Sequence, residues 1–392
     1  FCLYMVCLFV CLTNAVGESP TYSTDVAPIL YEKCVSCHRE GEVAPMSLED
    51  YEDTRPWAKS IRRYVSKRVM PPWFANPAHG EFTNDPSLSE KEIETIVEWV
   101  KAGAKEGDPA ELPKLPEFTT GWQRGVPDAI IELPEVSIPA GGNDIFPNLQ
   151  FSPEIDDTQW VEAIEIRPSN RDLAHHVVIF MSSPNGNARN ADILGTWAVG
   201  TPPNEYKNGT GRRLKKDQLL IANMHYHPNG TAGKDITRIG LYYGKGELKH
   251  EVTGKLVGPT NFMIPAGDSN HKETYVYPIR KNIRMVSMFP HMHLRGKDMR
   301  FTATYPDGRK EVLLDVPEYD FNWQLFYYPK EAIDLPAGTE LEIVAHWDNS
   351  AKNEDNPDST RDVGFGLQST DEMMFGIFEF YETGNGVGQG TD

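Results

Sequence analysis

Cysteine is nearly absent from this chain once its first stretch is set aside. Of five cysteines, Cys2, Cys7 and Cys11 fall in the first dozen residues, and only Cys34 and Cys37 follow. That scarcity excludes a disulfide-braced scaffold and leaves no second pair to complete a four-cysteine zinc site. Basic charge is also short: 38 Lys and Arg stand against 57 Asp and Glu, a net charge of -19. Such a surface repels nucleic acid and anionic membranes, so neither is expected as a partner. No apolar run is long enough for a membrane span, and there is no internal repeat or low-complexity tract.

What remains is ordinary globular material. At 392 residues with 39% hydrophobic and 10% aromatic content, the chain has room for two or three domains. Residues 1–17 carry no charged side chain and run from an apolar stretch into Asn14-Ala15-Val16-Gly17. They read as a secretory signal with its start missing, and the mature protein is expected to be periplasmic or secreted. Val10 before Cys11 argues against lipid attachment, which usually has a small residue there.

The two remaining cysteines sit in Cys34-Val35-Ser36-Cys37-His38. This is the pattern for one covalent c-type haem: the thiols bond the porphyrin edge and His38 is placed to ligate the iron. A redox pair and a zinc half-site are the competing readings of the same residues. Iron then needs a sixth ligand, and a thioether that stabilises the ferrous state suits it. Met70, in a loop fixed by Pro71 and Pro72, leads; Met46 and then His79 follow. Ser89-Glu90-Lys91-Glu92 has the form of a capping box ahead of Ile93, Ile96, Val97 and Val100 on one helical face. Residues 20–107 therefore resemble a small all-α cytochrome c domain whose core is the haem itself.

Residues 108–123, with Pro109, Pro113 and Pro116, read as a semi-rigid linker. Beyond them the chain turns to short β-rich runs separated by Pro, Gly, Asn and Asp, with a hairpin turn at Pro306-Asp307-Gly308. The spacing predicts antiparallel sandwiches, and the length predicts two in tandem, 124–250 and 251–385. The fold class expected is thus multidomain, an α domain followed by two all-β sandwiches.

Four stretches of this β region carry ligand-type side chains. His291 and His293 close an apolar run, and on a strand both would face one way. His175 and His176 are adjacent, so both can serve one site only if a bulge turns one of them. His225 and His227 form a third group. Met373 follows a polar turn, and by itself would be read as a core methionine. Imidazole suits copper, zinc and iron, while a thioether favours copper(I). Copper is the expectation for the set taken together.

The order His175-His176, His225-Tyr226-His227-Pro228-Asn229, Pro290-His291-Met292-His293-Leu294, Asp371-Glu372-Met373 resembles the copper type II ascorbate-dependent monooxygenases. That family includes dopamine β-hydroxylase and peptidylglycine α-hydroxylating monooxygenase, and the resemblance covers roughly residues 124–385. It implies two jelly-roll-like sandwiches, each with one copper, across a solvent-filled cleft. His175, His176 and His225 would hold an electron-transfer copper; His291, His293 and Met373 would hold the catalytic copper where O2 is activated. His227 would lie beside the first set, while Met374 and His346 would be structural. Where the peptide enzymes carry an Arg, an Asn and a Tyr for a substrate carboxylate, this chain has Phe289, Phe375 and Ile377. The animal enzymes also have disulfides, and this chain has none to offer. The resemblance implies hydroxylation of a C–H bond with O2 and two electrons from an external donor, an ascorbate-like reductant or a redox protein; Phe289, Phe375 and Ile377 suggest a small apolar organic substrate, and the fused cytochrome suggests that the electrons enter through the haem. An exported electron carrier or copper-binding protein without monooxygenase activity is the alternative, and substrate-dependent O2 consumption separates the two.

Overall fold

The computed structural model describes residues 19–42, 44–117, 121–182 and 192–384, so the expected signal segment 1–17 lies outside the described residues. The chain divides into two compact units.

Among the described residues, the first unit comprises those up to Pro71 together with Ser87–Pro116, and its regular elements are helical. A π-turn at Tyr22–Val26 leads into α1 (Ala27–Lys33), followed by α2 (Tyr51–Thr54), α3 (Ala58–Ser66) and α4 (Glu90–Lys101). Asp50 caps α2 by accepting from the Asp53 amide. Ser89 opens α4 with a full capping box, its side chain and that of Glu92 each accepting a backbone N–H from the other residue. Ile96 and Trp99 of α4 are fully buried, as are Tyr22, Val26 and Leu30, and the Trp99 ring lies 6.2 Å from that of Tyr22. Each such side chain contributes about 2–3 kcal/mol by leaving water. The described residues of the unit thus bury an apolar set of side chains between its helices.

The second unit contains Pro72–Pro86 and everything from Glu117 onward. Here the domain expectation needs correcting twice. Residues 72–86 do not belong with the helical unit, as a 20–107 domain would require. Ala75 and Phe82 are buried in the core of the second β half, and Trp73 packs against Tyr327 with ring centroids 4.8 Å apart. Asn76 donates from its amide to the Asp315 carbonyl and from Nδ2 to Asp315 Oδ2, both at 2.8 Å. Apolar burial and these paired bonds hold the segment in the β unit.

Nor are the two β halves beads in tandem. One nine-stranded sheet runs Ala129–Glu132, Arg238–Tyr243, Gln159–Arg167, Thr210–Leu214, His250–Val257, Phe375–Glu382, Ile283–His291, Ile333–Leu335, with Asn204–Glu205 beside Gln159–Arg167. The halves join where Thr210–Leu214 and His250–Val257 pair in parallel, His250 opposite Thr210. In the first half this sheet is accompanied by a four-stranded sheet ordered Asn148–Phe151, Leu220–Tyr226, Ala174–Met181, Asp192–Ala198. In the second the four-stranded sheet is His271–Pro278, Glu340–Trp347, Gly296–Thr304, Lys310–Val316. Alternation drives these strands: His271–Pro278 is half-buried and exposed by turns along its whole length. Val161, Ile164, Val177, Ile179 and Leu241 fill the first core; Phe301, Leu314, Ile343, Trp347 and Phe378 fill the second.

The seam is polar as well as apolar. Arg212, fully buried, donates to Tyr206 Oη at 3.2 Å, Asp192 Oδ1 at 3.0 Å, the Val252 carbonyl at 2.7 Å and Glu379 Oε1 at 3.1 Å, and also to the Ile193 carbonyl. Ser287 Oγ donates to the other oxygen of Glu379 at 2.8 Å. A buried guanidinium is tolerated only when its donors are satisfied in this way.

Candidate metal centre

In the helical unit, Cys34 caps the C-terminus of α1 and the next turn returns the Cys37 and His38 amides to its carbonyl, at 3.1 and 2.9 Å. Cys34 and Cys37 form no disulfide. Burial pushes the Cys34 thiol up to about 12, which disfavours the thiolate a redox pair needs. His38 Nδ1–H donates to the Met46 carbonyl at 3.3 Å, leaving Nε2 with its lone pair. Burial also lowers the His38 pKa, keeping the ring neutral. A neutral imidazole directly after two cysteines outside any disulfide is a donor set that would suit covalent haem attachment. The His38 bond uses the Met46 backbone and not its thioether; Met46 and Met70 are both half-buried, and His79 lies in the segment that belongs to the β unit.

In the first β half, the bulge demanded by adjacent histidines is present. Along the pairing of Ala174–Met181 with Leu220–Tyr226, Ala174 faces Tyr226 and His176 faces His225, so His175 is the extra residue. The irregularity turns His175 toward the same point as His176 and His225. One ligand atom from each of the three lies within 4.8 Å of the others. His175 Nδ1 is 3.2 Å from His176 Nδ1, which is 3.4 Å from His225 Nδ1. Burial pushes His175 down to about 3 and His176 well below its usual range, with the neighbouring imidazoles adding to the effect. These rings therefore stay neutral and keep lone pairs facing one another. His175 Nε2 is buried with no hydrogen-bond partner. Nitrogen lone pairs converging without enough protons between them fit a metal cation, and this cluster could hold one.

His225 is oriented from behind. Its Nε2–H donates to Asp144 Oδ2 at 2.9 Å, and Phe146 stacks on its ring at 4.4 Å. The remaining Nδ1 points to His176. His227, the residue beside the first set, donates from Nδ1 to the other Asp144 oxygen at 2.7 Å and is exposed. Burial alone would raise Asp144, but these two histidine bonds outweigh it and hold the carboxyl below the usual range.

In the second half the expected strand pair is only partly a strand. Regular pairing ends at His291, and His293 stands in the loop beyond. Its position comes from other bonds. The Met292 amide donates to Tyr319 Oη at 3.1 Å, and that hydroxyl donates to the Met292 carbonyl at 2.7 Å. Glu372, fully buried, accepts from the His293 amide at 3.1 Å, the Arg295 amide at 2.7 Å and Trp347 Nε1 at 2.9 Å. Burial raises Glu372 to about 7 despite these donors. His291 Nδ1–H donates to Gln324 Oε1 at 2.6 Å and His293 Nδ1–H to the Asp371 carbonyl at 3.3 Å, so each keeps Nε2 free. The two rings are 5.3 Å apart and perpendicular. Burial lowers His291 to about 4 and His293 well below its usual range. Met373 is buried immediately after Glu372. Two neutral imidazoles fit a soft cation, and Met373 stands in the chain directly after the glutamate that holds the His293 amide.

The open cleft that the resemblance implies between the two sets is not found. His176 and His291 lie edge to face with ring centroids 5.5 Å apart, and Phe321 stacks on His175 at 4.3 Å while standing 6.1 Å from His293. Neutral imidazoles and an aromatic ring pack without a charge penalty, which lets the two halves close. Phe289 and Ile377 belong to a buried cluster with Ile193 and Phe326, leaving the half-buried Phe375 as the more open of the three apolar positions. Phe289 and Phe375 stack on His291 at 6.5 Å each. Met374 is fully buried, and His346 donates from Nδ1 to Asp298 at 2.6 Å, so both have structural surroundings.

Sequence reasoning missed Asp144, Gln324, Tyr319 and the role of Glu372. Only Glu372 left a trace, as a member of the motif before Met373.

No family model matches the chain. Among solved structures, the major capsid protein P2 of bacteriophage PM2 is 12% identical, covers 66% of this chain and 99% of its own, and gives a TM-score of 0.28. A structure of infectious bursal disease virus, Gx strain, is 10% identical, covers 66% and 74%, and gives 0.19. Likenesses this distant say nothing of what the chain does. Among the described residues, no helix is long and apolar enough to cross a membrane.

Proposed function

We propose that this protein is an exported copper-dependent monooxygenase that hydroxylates a C–H bond of a small apolar organic substrate. In this reading the two β halves are the jelly-roll-like copper sandwiches of the type II ascorbate-dependent family. The helical unit is a small c-type cytochrome, with its haem on Cys34, Cys37 and His38 and Met70 as sixth ligand. The observation that carries the reading is the bulge at His175, which brings three histidines from two strands to one point.

His175, His176 and His225 would hold the electron-transfer copper; His291, His293 and Met373 would hold the catalytic one. When bound, the coppers supply one-electron transfer and O2 activation, inserting one oxygen atom into the substrate and reducing the other to water with two external electrons and two protons. The chain's own residues prepare the nitrogens. Asp144 fixes His225 with Nδ1 forward, while Gln324 and the Asp371 carbonyl fix His291 and His293 with Nε2 forward. Phe321 keeps water from the space beside His175, where it would compete for metal positions. Phe375, against His291, supplies an apolar contact for substrate.

The deciding experiment is the iron and copper content of copper-reconstituted protein, followed by O2 uptake. Two coppers per haem and O2 uptake strictly dependent on an added organic substrate are expected. Haem intact with one or no copper would overturn the reading and favour an electron carrier.

A further inference from the structure

Asp144 belongs to the first β half, yet its contacts do not stop there. The carboxylate is buried; Oδ2 accepts from His225 Nε2 at 2.9 Å and Oδ1 from His227 Nδ1 at 2.7 Å. The Ser369 amide, in the second half, also approaches Oδ2 at 3.4 Å, and Gln368 Nε2 donates to the Asp144 carbonyl at 3.3 Å. Ser369 and Gln368 open the turn that ends at Met373. Asp371, inside that turn, takes the His293 Nδ1 proton on its carbonyl, and the carboxylate of Glu372 takes the His293 amide. One aspartate thus touches a ligand of the first set and the turn that carries the thioether of the second.

The geometry points to Asp144 as a positioning residue shared by both metal sets: it holds His225 in the orientation that offers Nδ1, and it anchors the turn that presents Met373. The inference rests on the copper reading and goes beyond it, since neither set alone requires a common support. A carboxylate on the far nitrogen of a ligating histidine fixes the ring and raises its basicity, and losing it costs metal affinity about 10–100-fold. His227 does not share this role. It is exposed and meets only the oxygen that His225 leaves free.

The test uses the full-length, haem-loaded protein with copper(I) as the probe, titrated against a competing chelator, and copper–sulfur scattering as the second readout. Asp144→Asn keeps the size but removes the charge that two imidazole donors share. It is expected to weaken the three-histidine copper about 10–100-fold and to reduce the sulfur signal of Met373, with the haem spectrum unchanged. Asp144→Glu is expected to recover part of the affinity, and His227→Gln to behave as wild type. Wild-type affinity and an undiminished sulfur signal in Asp144→Asn would overturn the inference, as would an equal loss in His227→Gln. Should Asp144→Asn not fold, the ring nitrogens of His225 can be read by 15N NMR in the reduced wild-type protein. Nε2 protonated with Nδ1 on copper supports the assignment, and copper on Nε2 refutes it. A wild-type protein that binds no copper would instead remove the copper reading itself, so the two failures are distinct.

Discussion

Gln324 accepts the Nδ1 proton of His291 at 2.6 Å, and its own amide nitrogen is committed to the Phe321 carbonyl at 3.2 Å, which fixes which end of the Gln324 amide faces the histidine. The histidine therefore has one tautomer available, with Nε2 forward. Gln324→Leu, which keeps the bulk and removes the acceptor, is expected to lower copper affinity at His291 and His293 by about tenfold or more. Chelator competition on the purified variant checks this.

Met373 should be separable from the haem. Met373→Ala is expected to abolish hydroxylation and the copper–sulfur signal while leaving the haem absorbance intact, because Met373 belongs to the β unit and Cys34, Cys37 and His38 to the helical one. Equal activity in the variant would take Met373 out of the site.

The three-histidine set should govern electron supply. His176→Ala is expected to lower the copper count from two per haem toward one and to stop sustained turnover. Unimpaired multiple turnover would count against the role given to His176.

Acid should act through the same histidines. In the metal-free protein, burial depresses His175 to about 3 and His291 to about 4, against an ordinary value of 6.5. Below pH 6.5 the unfolded chain takes up protons that the folded chain refuses, so their stabilising contribution is full above 6.5 and is lost as pH falls toward 4. Each unit of separation is worth about 1.4 kcal/mol per group, which makes the effect visible. Urea midpoints at pH 7.5 and pH 5 check the sign; a higher midpoint at pH 5 would contradict it.

Arg212 should matter more by its removal than by its presence. Arg212→Ala leaves Glu379 buried beside Ser287 and Tyr206 without its countercharge. A loss of about 3–5 kcal/mol is expected in denaturant unfolding. Arg212→Met together with Glu379→Gln is expected to lose less than Arg212→Ala alone.

How much of this was legible in the chain differs from residue to residue. The ligand-type side chains could be read because their chemistry is carried by residue type and local spacing. Adjacent His175 and His176 even predicted their own bulge, since no regular strand turns neighbours the same way. The residues that orient them could not be read. Asp144 meets His225 from 81 residues away, Gln324 meets His291 from 33, and Glu372 meets the His293 amide from 79, separations at which sequence pattern carries no signal. The shared sheet was hidden for a similar reason. Its parallel seam between Thr210–Leu214 and His250–Val257 joins strands that, taken one by one, look like any others. The stretch 72–86 was misplaced because prolines fix a ligand loop and a docking strap equally well.

That strap also sets an order of events in time. Asn76 reaches Asp315 across 239 positions and Thr83 reaches Tyr328 across 245, so residues 72–86 leave the ribosome long before anything exists to receive them. The core that receives Trp73, Phe74 and Phe82 is complete only once the last third of the chain has been made. During that interval they are the natural target for chaperones and for proteases, and protection of this stretch from cleavage marks the arrival of the second β half.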